Sequence, residues 1–480
     1  MNNSKFPTKK TKIVCTIGPA SQSQAVLEKL IKNGMNIARI NFAHGDFEGH
    51  RQVIKNIRAA ANNVGLRVAI FGDLPGPKMR IGQLSEEPIE LERGDSFILQ
   101  TEEIVGNRQR VSMSFEKLPE VVEAGDNIFL NDGFIQLKVE KKTDNEVHCT
   151  VEVGGELRSH KGLNLPGIDL GISAFTDQDQ QFLQFAAEER LDGVSQSFVE
   201  SAADIEAVRD AAGQLDYDPF IIAKIERAGA LNNIDEILTV TDGIMVARGD
   251  LGVEIPIEEV AVVQKHLIDL ANLQGKPVIT ATHMLESMIN NRRPTRAEVT
   301  DVANAILDGT DCVMLSGETA IGSFPDETVA VMARIAHVTE ADTEDIGVAD
   351  LLTVQKAKGE ITNEDLISYN IYASAKMLKP AVLFVPSASG NTARSVTRFR
   401  LNTWIVSPSL NKQTCQKLQF SYGVYPEYIS KNPLSWPQFV QEWLQSHGID
   451  GQVAMVVEGG GTLKAGDITR IDIINLSYVE

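Results

Sequence analysis

Phe220-Ile221-Ile222-Ala223-Lys224-Ile225-Glu226 is an apolar run that ends in polar residues, and the chain repeats this design twice more. The repeats are Gly243-Ile244-Met245-Val246-Ala247-Arg248-Gly249-Asp250 and Pro277-Val278-Ile279-Thr280-Ala281-Thr282. Short buried runs at helix-length intervals are typical of parallel strands joined by helices. In a closed parallel barrel, residues at the strand C-termini meet on one rim, where barrel enzymes place their chemistry. These stretches therefore predict a lysine, two carboxylates, an arginine and a threonine in one bowl.

The polar residues of this rim favour phosphoryl chemistry with a divalent metal. Glu226 and Asp250 end neighbouring strands, so their carboxylates could share Mg²⁺, which prefers carboxylates, water and substrate oxygens. Lys224 faces the same side of its strand as Glu226 and could neutralise a transferring phosphoryl group, although a purely structural ion pair is the alternative. Backbone N–H groups in the turn at 247–252 could hold a carboxylate. Thr282 could bind substrate, relay a proton or merely cap the following helix.

Composition narrows the class of protein. With 480 residues, 43% hydrophobic and 23% charged, the chain resembles an ordinary globular protein of about two to four domains. A formal net charge of −20 argues against nucleic acid as the main partner, but not against a small anionic substrate. No signal-peptide pattern and no membrane-length apolar run is present, so we expect no membrane partner. The four scattered cysteines predict free buried thiols and a cytoplasmic location.

Strand and helix signals alternate through two separated parts of the chain and predict an α/β fold with about eight barrel strands. The first part of the barrel is expected at 1–72 and the second at 171–344. Asp73-Leu74-Pro75-Gly76-Pro77 interrupts the alternation, and short strands after it predict an inserted all-β module at 73–170. An acidic stretch at 340–362 is predicted to be a linker or a surface helix. A second α/β pattern predicts a C-terminal domain at 345–480.

Phosphate-binding candidates lie outside the three opening stretches. Arg39 and Arg80 carry guanidinium groups that suit phosphate oxygens, although single arginines usually lie on surfaces. The segment Ser387-Ala388-Ser389-Gly390-Asn391-Thr392-Ala393 sits between a predicted strand and a helix, where hydroxyls and free N–H groups can cradle a phosphate. A plain strand-to-helix turn is the alternative for this loop, and a structural role is the alternative for His44.

A set of motifs, in order from about residue 9 to 325, resembles the pyruvate kinase family, and the C-terminal pattern fits that family too. The motifs are Lys12-Ile13-Val14-Cys15-Thr16-Ile17-Gly18-Pro19-Ala20-Ser21, Ala38-Arg39-Ile40-Asn41-Phe42, Lys161-Gly162-Leu163-Asn164-Leu165-Pro166-Gly167, Ala223-Lys224-Ile225-Glu226, the segment 246–252, Ala281-Thr282-His283-Met284-Leu285-Glu286-Ser287-Met288, Arg293-Pro294-Thr295-Arg296-Ala297-Glu298-Val299 and Leu315-Ser316-Gly317-Glu318-Thr319. The resemblance implies a (β/α)8 TIM barrel with an inserted small β-barrel lid and a C-terminal α/β regulatory domain. It also implies phosphoryl transfer from phosphoenolpyruvate to ADP, the last step of glycolysis, with pyruvate and ATP as products.

The resemblance also assigns roles to individual residues. Glu226 and Asp250 would bind Mg²⁺ or Mn²⁺, and Lys224 would steady the phosphoryl group. Substrate would be held by the backbone of Ala247, Arg248, Gly249 and Asp250 together with Thr282, which would also assist protonation of the enolate. Arg39 and Arg80 would contact phosphate. The residues expected near the nucleotide are Thr16, Pro19, His44, Arg80 and Lys161.

Two positions depart from the pattern of potassium-dependent members of this family. Ala43 replaces a serine that supplies an oxygen ligand, and Lys78 stands where such members have glutamate. An ammonium at Lys78 could supply the missing positive charge, so we expect activity without potassium, and solvation of Lys78 at the lid hinge is the alternative. The cation pocket, or its replacement, would comprise Asn41, Ala43, Asp73, Leu74 and Lys78.

The resemblance further implies a homotetramer and a phosphorylated allosteric effector bound at Ser387, Ser389, Gly390, Asn391 and Thr392. Two other functions remain open at this point. A barrel lyase or aldolase acting on pyruvate would also use arginine and two carboxylates, but it would not need the lid or Lys161. A degenerate kinase that only senses metabolites would be expected to lack Lys224, Glu226 or Asp250, and all three are present.

Overall fold

The computed structural model describes residues 6–341, 347–348, 352, 361–458 and 470–476. Most of the predicted linker at 340–362 therefore lies outside the described residues. The glycine-rich segment Glu458-Gly459-Gly460-Gly461-Thr462, whose sequence is compatible with a partner loop for the candidate phosphate loop at 387–393, also lies outside them beyond Glu458. No helix in the described ranges is long and apolar enough to cross a membrane.

The chain begins with three strands of a barrel. They are β1 (Lys12–Thr16), β2 (Ile37–Asn41) and β3 (Ala69–Leu74), separated by helices α1 (Gln24–Asn33) and α2 (Phe47–Val64). Every residue of β1 and β3 is buried, as expected for strands of a parallel sheet covered on both faces. The strand β3 runs through Asp73 and Leu74, so the barrel extends two residues beyond the predicted boundary at 72.

The inserted segment folds as an all-β domain with its own core. Its elements are β4 (Ile89–Leu91), β5 (Ser96–Gln100), β6 (Arg110–Ser112), α3 (Leu118–Val121), β7 (Asn127–Leu130), β8 (Ile135–Lys142), β9 (Glu146–Val153), β10 (Gly155–Leu157) and β11 (Leu163–Asn164). A six-stranded sheet has the order β11-β7-β8-β9-β5-β6, and β10 pairs with β4 in a second sheet. The alternating burial along β9 places Val147, Cys149 and Val151 in the core, which is the pattern expected of a half-buried strand.

The barrel resumes with strands β12 (Gly193–Gln196), β13 (Phe220–Ile225), β14 (Gly243–Ala247), β15 (Val278–Ala281) and β16 (Cys312–Leu315). Its helices are α4 (Asp177–Glu188), α5 (Ala202–Gln214), α6 (Ala228–Asn232), α7 (Ile234–Val240), α8 (Arg248–Glu254), α9 (Val260–Leu273), α10 (Arg296–Leu307), α11 (Gly317–Ala320) and α12 (Pro325–Ala341). The eight parallel strands close in the order β1-β16-β15-β14-β13-β12-β3-β2, which confirms the predicted barrel. A capping box between Thr295 and Glu298 starts α10.

The C-terminal domain contains α13 (Asn363–Leu378), β17 (Val382–Phe384), α14 (Asn391–Thr397), β18 (Trp404–Ser409), α15 (Lys412–Lys417), β19 (Val424–Tyr428), α16 (Trp436–His447), β20 (Val453–Glu458) and β21 (Arg470–Asn475). Its sheet has the order β19-β18-β17-β20-β21, and only the β20–β21 pair is antiparallel.

A phenylalanine from the C-terminal domain closes the base of the barrel. Phe420 belongs to the same buried cluster as the inward-facing barrel residues Phe71, Phe220 and Cys312. Its ring stacks on Phe220 with centroids 4.7 Å apart and planes 4° apart. Chemistry is therefore confined to the opposite end of the barrel, where the strands have their C-termini.

Candidate active site

The carboxylate of Asp73, at the end of β3, is the centre of the charged cluster on the rim. Its Oδ1 accepts a hydrogen bond from Ser195 Oγ at 2.5 Å and lies 3.8 Å from Lys224 Nζ, while its Oδ2 pairs with Arg39. Burial alone would raise the pKa of Asp73, but Arg39, Lys224 and the Ser195 hydroxyl together hold it well below its ordinary value. Asp73 is therefore a permanent anion that orients two cations toward the cleft.

Lys224 and Glu226 form a second pair on the neighbouring strand. Lys224 Nζ donates to Ser197 Oγ at 2.6 Å and lies 3.1 Å from Glu226 Oε2. Burial would lower the pKa of this lysine, but Asp73, Glu226 and Asp250 more than offset that effect, so the pKa is raised and the ammonium stays charged. Lys224 is thus a fixed positive charge that points into the bowl.

The carboxylates of this rim suit a hard divalent ion. Glu226 is buried; its Oε1 accepts from Phe198 N at 2.8 Å, whereas its buried Oε2 accepts no hydrogen bond. Burial raises the pKa of Glu226, and the nearby Asp250 raises it further against the pull of Lys224. A cation between Glu226 and Asp250 would relieve this repulsion and bind the Oε2 that now faces only the Lys224 ammonium, so the residues present fit Mg²⁺.

The described residues contain no cluster of three or more His, Cys, Asp or Glu side chains that could hold a metal. Two carboxylates alone match an ion that keeps several water and substrate oxygens, as Mg²⁺ does, and do not match a structural zinc site.

Thr282 faces the start of α8 across the cleft. Its Oγ1 accepts a hydrogen bond from Gly249 N at 2.8 Å and donates to Ala281 O at 2.7 Å, so it does not cap a following helix. The backbone N–H at the start of α8 and the Thr282 hydroxyl therefore converge on one point.

Arg39 and Thr16 join the rim from the first two strands. Arg39 Nη1 donates to Thr16 Oγ1 at 3.0 Å while its Nη2 pairs with Asp73. The guanidinium is mostly buried and held on two sides, with its Nε free of protein partners. It therefore presents a fixed cation beside Lys224.

The remaining candidates for nucleotide contact lie where the inserted all-β domain joins the barrel. Arg80 forms a β-bridge with Gly162 and donates from Nη1 to His160 O at 2.8 Å, which places it beside Lys161. Partial burial lowers the pKa of His44, as do the nearby charges of Lys78, Arg80 and Arg39, so His44 stays neutral near this cluster. Pro19 lies in the loop after β1, where the adjacent Gly18 packs closely on Ala320.

Lys78 lies within the electrostatic reach of the two rim carboxylates. Partial burial lowers its pKa most, followed by Lys224 and Arg80, while Asp73 and Asp250 oppose the shift. Nearby, Asn41 Oδ1 accepts a hydrogen bond from Ala43 N at 3.2 Å, and Leu74 ends β3 beside Asp73. The structure thus brings the residues predicted for the cation pocket to one side of the rim.

The loop predicted to bind an effector phosphate belongs to the C-terminal domain. Gly390, with φ of 86°, precedes α14, and its N–H donates to Ser387 Oγ at 2.8 Å. Asn391 N donates to Ser389 Oγ at 3.4 Å, and the hydroxyl-bearing Thr392 follows in the first turn of the helix. The loop is therefore a hydroxyl-rich turn that enters a helix, as expected from its sequence.

Ser195 and Ser197 are members of the site that sequence reasoning missed. They bind Asp73 and Lys224 and lie at alternate positions near the end of β12. The available signal was this spacing of two at the end of a barrel strand, which directs both side chains to the same face.

Comparisons with known proteins agree with this architecture. Residues 8–329 match the family model "Pyruvate kinase, barrel domain", and residues 365–470 match "Pyruvate kinase, alpha/beta domain". A pyruvate kinase of Thermococcus litoralis is 46% identical over 428 residues, covering 89% of this chain and 90% of the relative. A pyruvate kinase of Geobacillus stearothermophilus is 43% identical over 420 residues, which cover 87% of this chain and 71% of the relative. The crystal structure of a pyruvate kinase from Cryptosporidium parvum superposes with a TM-score of 0.88 at 34% identity, covering 98% of this chain and 96% of the other.

Proposed function

Because the chain belongs to the pyruvate kinase family and is thus a phosphotransferase, we propose that it transfers the phosphoryl group of phosphoenolpyruvate to ADP. The products are ATP and pyruvate, and one proton is taken up as the enolate becomes a methyl group. The supporting observation is the position of the Lys224 ammonium, 3.1 Å from Glu226 and 3.8 Å from Asp73 on the rim of the barrel.

Different residues of the rim have different roles in the proposed reaction. Lys224 and Arg39 neutralise the oxygens of the phosphoryl group, whose transfer depends mainly on positioning and electrostatics. Glu226 and Asp250 would hold Mg²⁺, which supplies further positive charge to the phosphoryl oxygens; Mn²⁺ is a chemically suitable substitute. The backbone of 247–250 holds the substrate carboxylate.

Thr282 serves the second half of the reaction. Its hydroxyl, 2.8 Å from Gly249 N, lies beside the position proposed for the pyruvate moiety and relays to the enolate carbon a proton that water supplies. Thr16, Pro19, His44, Arg80 and Lys161 line the nucleotide side, where the lid closes and excludes water that would compete with ADP.

A coupled assay for ADP-dependent pyruvate formation tests the proposal. Lys224→Met should lower kcat by at least about 100-fold, because a fixed charge at the transferring group is lost. Lys265→Met is the matched control, since Lys265 is an exposed lysine of α9 paired with Asp308. Pyruvate formation or cleavage without ADP would instead indicate the barrel lyase or aldolase. A wild type that binds an effector but turns over no substrate would indicate the metabolite sensor.

We also propose that the enzyme does not require potassium. Ala43 offers no hydroxyl, and the electrostatic effects of Asp73 and Asp250 both favour the charged form of Lys78, whose ammonium would supply the positive charge of the missing cation. Activity should therefore persist in potassium-free and sodium-free buffer. The double variant Ala43→Ser/Lys78→Glu should gain potassium activation, and Lys117→Glu, at an exposed lysine of the lid, should not. A large potassium activation of the wild type would contradict this proposal.

The C-terminal domain is proposed to bind a phosphorylated effector at Ser387, Ser389, Gly390, Asn391 and Thr392, where side-chain hydroxyls and a helix start meet. Sugar phosphates and nucleotides should be screened for activation at low phosphoenolpyruvate. Asn391→Glu places a negative charge at the exposed start of α14 and should abolish activation, whereas Asn402→Glu, at an exposed position of the same domain, should preserve it. A screen without any activator would contradict the proposal.

The family resemblance further supports a homotetramer in the cytoplasm. The four cysteines are free and buried, as expected in a reducing compartment. Light scattering coupled to gel filtration measures the assembly directly, and a mass of one or two subunits would refute the tetramer.

A further inference from the structure

Two consecutive residues beside the substrate site adopt a backbone conformation that their side chains disfavour. Thr282 has φ of 66° and His283 has φ of 54°. The left-handed region is uncommon for any residue but glycine, and it is a true outlier for a β-branched residue such as threonine. Such a strained conformation persists only where the surrounding structure imposes it. Something in the structure must therefore hold this turn.

The guanidinium of Arg248 is what holds it. Arg248 Nε donates to Ala281 O at 3.1 Å and Nη2 donates to Thr282 O at 2.7 Å, so the two carbonyls that flank the strained residue share one rigid donor group. The side chain is largely buried. A planar fork of donors fixes the direction of both carbonyls, and with them the direction of the Thr282 side chain.

The guanidinium is itself fixed from α10. Asp301 accepts two parallel hydrogen bonds, from Nη1 at 2.7 Å and from Nη2 at 2.8 Å, and Gln264 Oε1 accepts a third from Nη1 at 3.3 Å. Together with the two backbone contacts, these use all five N–H donors of the guanidinium. No donor is left for a substrate, so the side chain of Arg248 acts within the protein.

Arg248 is also the first residue of α8, which carries Gly249 and Asp250. One residue therefore fixes both sides of the point where Gly249 N and the Thr282 hydroxyl meet at 2.8 Å. We infer that Arg248 is a positioning residue that acts on the reaction through Thr282, and that Asp301 holds it in place. This inference rests on the proposed function of Thr282 in protonating the enolate.

The test compares single and double variants in the coupled assay. Arg248→Lys keeps the charge but loses the fork, and it should lower kcat by roughly 100-fold, the loss typical of a misplacement near 1 Å, with the KM for ADP changed by less than about twofold. Asp301→Asn should lower kcat by roughly tenfold, and Asp301→Glu, which keeps the carboxylate, should lower kcat less than Asp301→Asn does. Because Asp301 acts through Arg248, the double variant Arg248→Lys/Asp301→Asn should be no worse than Arg248→Lys.

Exchange of the methyl hydrogens of pyruvate with D₂O, followed by NMR, isolates the protonation step. The exchange rate should fall in parallel with kcat. Asp218→Asn is the matched control, because Asp218 is 74% exposed and pairs with Lys417, outside the set of residues that hold Arg248. If Arg248→Lys does not fold, the Asp301 variants carry the same test.

The outcomes separate this inference from the proposed function. A wild type without ADP-dependent pyruvate formation would overturn both. In an active background, wild-type exchange rates in Arg248→Lys and Asp301→Asn would overturn the inference alone. Additive losses in the double variant would overturn it too, since they would mean that Asp301 acts independently of Arg248.

Discussion

Removing the side chain of Arg400 should loosen the C-terminal domain from the base of the barrel. Arg400 lies between α14 and β18, and its Nη1 and Nη2 donate to the two oxygens of Asp311, directly before β16, at 2.9 and 2.8 Å. Nη2 also donates to Asn272 Oδ1 at 2.7 Å. The side chains of Arg400 and Asp311 are only 2% and 3% exposed, so solvent screens this pair very little. We therefore expect Arg400→Met to break a buried contact between the domains.

The magnitude follows from what remains after the change. Deleting one partner of a buried ion pair typically costs about 3–5 kcal/mol, since the other charge stays buried. Asp311 would keep two backbone donors, Tyr422 N at 2.8 Å and Val278 N at 3.0 Å, which places the expected cost near the lower limit, about 3 kcal/mol. Residue 400 has φ of 51°, a backbone conformation that is as unfavourable for methionine as for arginine. The change in unfolding free energy therefore reports on the side chain.

The chain provides a built-in probe for this measurement. Its three tryptophans, Trp404, Trp436 and Trp443, all lie in the C-terminal domain, and the Trp404 ring lies 5.6 Å from Lys12 Nζ at the start of β1. Urea unfolding followed by tryptophan fluorescence therefore reports on this domain, while enzymatic activity reports on the barrel. In Arg400→Met the fluorescence transition should move to lower urea and precede the loss of activity. A shift of about 3 kcal/mol corresponds to roughly a 100-fold change in the equilibrium constant.

Arg108→Met is the matched control, because Arg108 pairs with Glu92 and Asp95 on the inserted all-β domain and is 53% exposed. An exposed pair contributes only about 0–1 kcal/mol, so both transitions should stay near those of the wild type. If Arg400→Met behaves like this control, with coincident transitions, the buried pair does not join the domains and the reasoning fails.

Three further perturbations have directions set by burial. Burial raises the pKa of Glu254 to about 7, so folding favours its protonated form, and the unfolding free energy of the wild type should fall as pH rises from about 4.5 to 7. Glutamine carries no titrating proton, so between these two pH values the unfolding free energy of Glu254→Gln, measured by urea titration, should fall by up to about 3 kcal/mol less than that of the wild type. In Gly72→Ala the new Cβ would lie 2.3 Å from Phe42 Cε2, so unfolding free energy should fall by about 1–3 kcal/mol and kcat should fall through the adjacent Asp73. All four cysteines are buried, and burial raises the pKa of Cys149 to about 12, so a disulfide reagent should label none in the native enzyme and four in urea.

The barrel could be predicted because its strands are nearly continuous apolar runs. A strand buried on both faces, such as β14, must be apolar along its whole length, and the residue after it can be charged only where the barrel opens to solvent. That constraint placed Lys224, Glu226 and Asp250 on one rim before any contact was known. The confirmed barrel order supports the same reasoning for Asp73 and Arg39.

The strand β19 shows where the same signal fails. The sequence pattern predicts C-terminal strands at 381–385, 404–406, 453–457 and 471–476, and each overlaps a strand of the structure. It does not predict Val424–Tyr428, because Pro426 interrupts the run and proline cannot donate to a central ladder. The structure places β19 at the edge of the sheet, where one side of the strand needs no partner, and so the proline is tolerated.

The hardest part of the site to predict is the part that positions the reacting groups. A motif shows that Thr282 follows β15, but it does not show that φ there is 66°, because that angle is imposed by contacts from other elements. Those contacts come from Arg248, 34 residues earlier, and Asp301 is 53 residues from that arginine. No local pattern links the three positions, since their coupling depends on how β14, β15 and α10 pack. The type of chemistry can therefore be predicted from the ends of single strands, whereas the precision of the site depends on residues of different elements that meet only in the folded barrel.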